Sequence, residues 1–207
     1  MSPLEEQRGL TLIAAVAAKD RKAFEEFYFL FANPVGGYLL KMLGRHDWVD
    51  EAVNDVMLTV WQSAERFDAE RAKITTWLFG IAHNKGLKIL ERNGRHFQRE
   101  VAELDVEAFA DEETNEGLPA AASHATPERE LAGRQMGEAL AWALSVLSAE
   151  HRCAIELCFK SGLSYQDIAA VMNCPENTVK TRMFHARKRL AELLESRGYN
   201  LSELTGG

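Results

Sequence analysis

Between Lys180 and Arg189 the chain reads KTRMFHARKR, five cations in ten residues with no acid, and Phe184 and His185 set among them. Nothing here pairs a nucleophile with a base or two carboxylates with each other. The chemistry is therefore binding, and its natural object is a polyanion. Guanidinium groups hold phosphates, long polar side chains read base edges in a major groove, and apolar groups meet thymine methyls. On a helix, Val179, Met183, Ala186 and Leu190 fall on one inward stripe. Lys180, Thr181, Phe184, His185 and Lys188 fall on another, flanked by Arg182, Arg187 and Arg189. An outward Phe184 among cations serves no purpose on a surface that only stays wet. The candidate DNA-reading set is thus Lys180, Thr181, Arg182, Phe184, His185, Arg187 and Lys188.

Such a helix needs a mount, and the preceding residues, LSYQDIAAVMNCPEN, supply one. Ser164 is placed to cap a first helix, with Asp167 three residues on in the manner of a capping box. Ile168, Ala169, Val171 and Met172 form its inner face. Asn173 suits the left-handed conformation that ends a helix, and Pro175 prevents continuation. Asn177 is the expected cap of the second helix. The layout is a helix-turn-helix, with small Ala169 where the helices approach.

A second basic stretch, Arg71 to Glu100, holds seven bases against two acids, with Trp77 and Phe79 among them. Cations that track phosphate beside aromatic surfaces that receive bases suit single-stranded DNA. The candidates are Lys73, Trp77, His83, Asn84, Lys85 and Lys88, with Trp77 equally at home in a core. The elements carrying them are helical. Thr75 or Thr76 is the expected cap for Trp77, Leu78, Ile81, Ala82, Ile89 and Leu90, which Gly80 and Gly86 interrupt. Ala52, Val53, Val56, Met57, Val60, Trp61 and Ala64 repeat at helical steps, and Asp20 precedes Ala23, Phe24 and Phe27 as a cap. Strand alternation is absent. The fold class read from this is all-α: two small helical domains joined by an acidic linker.

The net charge of −7 over 207 residues sits oddly with two basic surfaces. Its source is Val101–Glu130, with nine acids and one base, which leaves the rest of the chain near neutral. That stretch also carries Gly117, Pro119 and Pro127 and few large apolar residues, the composition of a linker. The expected division is 1–100, linker 101–134, and 135–207 with a short C-terminal tail. No run is long enough to span a membrane, and the acidic N-terminus lacks a signal-peptide layout, so a cytoplasmic location is expected. Cys153, Cys158 and Cys174 form no CxxC pair and read as small buried apolar residues. His83, His96 and His151 lack metal-ligand spacing, so neither enzyme activity, metal nor cofactor is expected.

The segment LSAEHRCAIELCFKSGLSYQDIAAVMNCPENTVKTRMFHARKRL resembles region 4 of sigma-70 family factors, in particular the extracytoplasmic-function (ECF, group IV) subfamily. VDEAVNDVMLTVW is similar to that subfamily's region 2.2, and FDAERAKITTWLFGIAHNKGLKILER to its regions 2.3 and 2.4. The departures are His83 where an arginine is usual, Lys88 and Glu91 where Asp and Arg are common, and Asn177 for a turn glycine.

The resemblance implies a specificity subunit of RNA polymerase that directs promoter-specific initiation, in a stress or envelope response. Region 4 would read the −35 element through the helix-turn-helix and meet the β flap. Region 2 would recognise and melt the −10 element, capturing a flipped base near the 71–77 loop. Its acidic helix face, Asp50, Glu51, Asn54 and Asp55, with Leu58, would dock on the β′ coiled coil. An anti-sigma factor is a further implied partner. Thirty linker residues reach roughly 100 Å at ~3.3 Å each, enough to span two helical turns of duplex, about 70 Å. The acidic linker is also expected to shield the basic faces of the free protein. The alternative reading is a sigma-like decoy that titrates an anti-sigma factor without binding DNA, for which Glu91 speaks and the intact cationic helix speaks against. A response regulator would need strand–helix alternation in the first half, which is missing.

Overall fold

A computed structural model describes residues 3–100 and 127–199. The first half holds α1 (Pro3–Ala17), α2 (Arg21–Leu43), α3 (His46–Ser63), a 3-10 turn (Ala64–Arg66) and α4 (Ile74–Glu100). The second holds α5 (Pro127–Val146), α6 (Ala149–Ile155) running into a π turn (Glu156–Lys160), α7 (Tyr165–Val171) and α8 (Glu176–Ser196). Among the described residues there is no strand, and no helix is long and apolar enough to cross a membrane.

Local chemistry sets most of the boundaries. Asp20 caps α2, its carboxylate accepting from the N–H groups of Lys22 at 2.8 Å and Ala23 at 3.2 Å. Gly44, in the left-handed region at φ 70°, closes that helix by donating to the Leu40 carbonyl. The capping box of α7 is complete: Ser164 Oγ accepts from Asp167 N–H at 3.1 Å, and the Asp167 carboxylate accepts back from Ser164 N–H. Asn173 takes the left-handed turn at φ 48°.

Two caps differ from the sequence reading. α8 begins at Glu176 after Pro175, and no side chain caps it. The Pro175 carbonyl already accepts from the N–H groups of Thr178 and Val179, so Asn177 falls inside the first turn. α4 likewise begins before the threonines, at Ile74, whose N–H is taken by Glu6 Oε1 of α1 at 2.7 Å. A long-range carboxylate thus does what a local hydroxyl was expected to do. The linker span also ends sooner than its composition suggests, since α5 starts at Pro127, where a proline's missing N–H costs nothing. Residues 101–126, and with them most of the acidic run and its expected shielding role, lie outside the described residues.

The apolar stripes are buried as their spacing requires: Ala52, Val53, Val56, Met57 and Val60 on α3, and Ile168 and Val171 on α7 with Met172 at its end. Gly86 lets α4 pass close to α2, since a Cβ there would sit 2.6 Å from Met42 Sδ and that side chain would have to move. Of the cysteines, Cys153 is buried while Cys158 and Cys174 are only half-buried, and all three are free thiols. The main core is one continuous cluster. It runs from Phe27, Phe31, Tyr38 and Leu78 in the first half to Leu157, Ile168 and Met183 in the second. α7 packs on α4 and α6 on α2, so the two helical halves lie closed against each other. A smaller cluster, Ala139, Ala143, Leu193 and Leu194, fastens α5 to α8.

Candidate nucleic-acid interface

The outer face of α8 is built as its angular pattern demands. Val179, Met183 and Ala186 are buried, whereas Lys180, Thr181, His185 and Lys188 are exposed and Phe184 is 60% accessible. The Phe184 and His185 rings meet edge to face at 5.4 Å, which keeps both in the stripe. Two flanking arginines are less available than the sequence implies. Arg182 is half-buried and pairs with Glu150 at 2.9 Å, and Arg187 donates to the Met183 carbonyl and the Tyr165 hydroxyl. Lys180 shares an exposed bridge with Glu176 at 2.8 Å, an interaction too weak to withhold it from a phosphate.

The other basic surface is divided. Asn84 and Lys88 are exposed on α4, and Lys73 stands just before it. Lys85 is half-buried and lies 3.6 Å from Asp55, and Arg92 reaches Glu51 at 3.1 Å. These bridges tie α4 to α3. Three of the four polar residues expected to face polymerase are engaged within the chain, Glu51 and Asp55 through these bridges and Asn54 by accepting from the Tyr28 hydroxyl at 3.4 Å, while Asp50, Asn54 and Leu58 stay on the exposed face. Beside them an apolar groove is lined by Phe24, Tyr28, Met57, Leu58 and Trp61. Trp77 is half-buried against the core with Phe67 at 5.4 Å, and Phe79 is wholly buried, so neither ring offers a free platform in this arrangement.

The sequence places His83 on the DNA face; in the closed molecule it is 7% exposed, with Nδ1 2.7 Å from the Tyr38 hydroxyl of α2. Burial first, and then the nearby Arg182 guanidinium, push its pKa below the ordinary 6.5, with Glu150 opposing. Tyr38 is itself buried and its pKa is raised by that burial, with the Cys153 thiol against the same hydroxyl. Burial pushes Cys153 up to about 12, so it is no reactive thiolate. Tyr38, His83 and Cys153 thus form a neutral polar knot where the halves meet.

A second polar link lies nearby. Asp167 of α7 accepts from Lys73 Nζ at 3.0 Å through Oδ2 and from Thr76 Oγ1 at 3.0 Å through Oδ1. Burial opposes ionisation there, but hydrogen bonds from Ser164, Lys73 and Thr76 hold the carboxyl below its usual range. A third is Arg152 of α6, which donates to the Lys41 carbonyl at 3.0 Å and to the Ser145 and Leu147 carbonyls. No local pattern announces these pairs. Asp167 and Thr76 both read as helix caps, and only Asp167 keeps that role alongside the second. Among the described residues no cluster of three potential ligands could hold a metal.

The order of these parts is matched by known families. Residues 30–96 match the model of Sigma-70 region 2, and residues 138–190 that of Sigma-70, region 4. The chain is 30% identical, over 89% of its length and 94% of the relative's, to the ECF RNA polymerase sigma-E factor of Haemophilus influenzae. It belongs to the extracytoplasmic-function group of the sigma-70 family. Another member, the ECF RNA polymerase sigma factor RpoE of Cereibacter sphaeroides, is 30% identical over 84% of this chain and 87% of that one. Among solved structures, the sigma factor RpoE of Bartonella quintana in complex with the anti-sigma factor NepR superposes with a TM-score of 0.62 at 27% identity. That match covers 84% of this chain and 98% of the other. A structure of CnrH in complex with the cytosolic domain of CnrY shares the fold, with a TM-score of 0.58 at 21% identity over 91% and 98% of the two chains.

Proposed function

We infer that this sigma-70 family member binds core RNA polymerase and directs promoter-specific transcription initiation. The observation that carries the reading is the open outer face of α8, cationic and aromatic, mounted on a helix-turn-helix within the region 4 match and preceded by region 2. Sigma factors in general are not enzymes, and the roles below are those of binding surfaces in the cytoplasm, where core polymerase works.

The domain assignment we propose is 1–100 for region 2 and 135–207 for region 4, with the linker between them shortened by the start of α5 at Pro127. Lys180, Thr181, Phe184, His185 and Lys188 read the upstream element, while Arg182 and Arg187 first support the fold around α8. Lys73, Asn84 and Lys88 serve the −10 element, and Trp77, packed on Phe67 of the same module, supports the helix that carries Asn84 and Lys88. Asp50, Asn54 and Leu58, with the groove at Phe24 and Trp61, form the polymerase-docking face. An anti-sigma partner is supported by the Bartonella quintana relative, which is seen with one.

Run-off transcription with core polymerase and a promoter library tests the reading. Initiation at a defined start site only when the protein is present is the expected result. Association with polymerase without any template preference would overturn it in favour of a sequestering decoy.

A further inference from the structure

We propose that in the closed molecule Asp167 stands in for a DNA backbone phosphate between Lys73 and Thr76, so that the helix-turn-helix module blocks the −10 surface of its own chain. The proposal rests on the promoter-binding reading above and deepens it by naming what must leave before DNA enters. A carboxylate offers two oxygens to donors much as a phosphodiester offers its two non-bridging oxygens. Here each oxygen takes one donor from the other module, Lys73 Nζ on Oδ2 and Thr76 Oγ1 on Oδ1, both at 3.0 Å. Such a pairing of an ammonium and a hydroxyl is how phosphate is held at protein–DNA contacts.

The surroundings fit a blocking role. Thr76 is 7% exposed although it lies in the first turn of the helix that carries Asn84 and Lys88, so its hydroxyl reaches solvent only if α7 leaves. The Asp167 side chain is 18% accessible and that of Lys73 55%, so the bond is sheltered on the acid's side and open on the cation's. Incoming phosphate therefore meets Lys73 first and displaces Asp167 from it. Asp167 does not lose its other partners on release, since Ser164 Oγ donates to it at 2.7 Å and Ser164 N–H at 3.3 Å. The helix-turn-helix keeps its cap in both states. By contrast, the outer face of α8 takes no part in the closure, so upstream-element binding is free to precede opening.

A protein whose competent state is only part of the population binds more weakly by that fraction. The test uses the full chain at low salt, with a fluorescent single-stranded oligonucleotide carrying the −10 sequence found in the run-off assay, and small-angle scattering for the separation of the modules. Asp167→Asn, which keeps an acceptor for Ser164 but loses the ion pair, is expected to bind the oligonucleotide about tenfold more tightly and to enlarge the radius of gyration. Ser164→Ala, which weakens the cap and leaves both Lys73 and Thr76 bonds, is expected to do neither. Thr76→Val separates opening from binding: it enlarges the molecule without tightening the complex. Equal affinity and equal size for wild type and Asp167→Asn, with transcription intact, would overturn the blocking role alone. Failure of every variant to bind DNA or support initiation would overturn the promoter-binding reading beneath it.

Discussion

The two basic surfaces of this molecule differ in how open they are. That of region 4, on the outer side of α8, is open, with Phe184 60% accessible and Lys180 and Lys188 exposed. That of region 2 is partly shut: α7 lies over the start of α4, Thr76 and His83 are buried, and Lys73 is paired. The difference teaches that net basicity is a poor measure of readiness. A cation held by an acid of its own helix, as Lys180 is by Glu176, stays available, whereas one held by an acid of the other half, as Lys73 is by Asp167, is freed only when that half moves.

The largest effect should come from the residue that serves both halves. Ile168 is fully buried in the cluster that joins α7 to the first module, and Ile168→Ala should cost about 2–5 kcal/mol of stability in chemical denaturation. Phe184→Ala, on the open surface, should change stability by less than about 0.5 kcal/mol. It should instead weaken upstream-element binding by about 1–3 kcal/mol in a duplex titration, with Lys180→Ala behaving alike and polymerase binding unchanged. A stability loss in Phe184→Ala equal to that of Ile168→Ala would erase the contrast.

Acidity separates the surfaces next. His83 is held neutral by burial and has a lowered pKa, so the unfolded chain binds its proton first. Its contribution to stability is present above about pH 6.5 and is lost as pH falls below that value towards the lowered one. Asp167 has a lowered carboxyl pKa, so its contribution persists through that window and fails only as pH falls below the ordinary carboxyl range. Thermal melts between pH 7 and 5 should therefore decline in wild type and flatten in His83→Gln. The smallest expected change is at Gly80, where a Cβ would meet nothing within 4 Å: Gly80→Ala should stabilise by up to about 1 kcal/mol, while Gly86→Ala, facing Met42, should not.

What could be read beforehand follows the same division. The stripe of α8 and the capping box of α7 depend on neighbours within a turn or two, and periodicity captures them. The Tyr38–His83 contact joins residues 45 apart, and the Asp167–Lys73 link residues 94 apart. No local pattern encodes such distances. Asp167 was legible as a cap because that bond is local, and illegible as a link because its partners belong to another helix. Thr76 misled for the converse reason: a threonine at a helix start looks like a cap, but Glu6 already satisfies the Ile74 N–H.

Arg152 has a last consequence. Its guanidinium bridges the Lys41 carbonyl of one half and the Ser145 and Leu147 carbonyls of its own. If the halves part, Lys41 lies near the end of α2, where water readily replaces the lost donor, and Arg152 retains two acceptors. No orphaned polar atom is left on either side of that joint. At this joint, then, parting the halves costs no buried hydrogen bond, and what holds them together is the apolar core that crosses the seam.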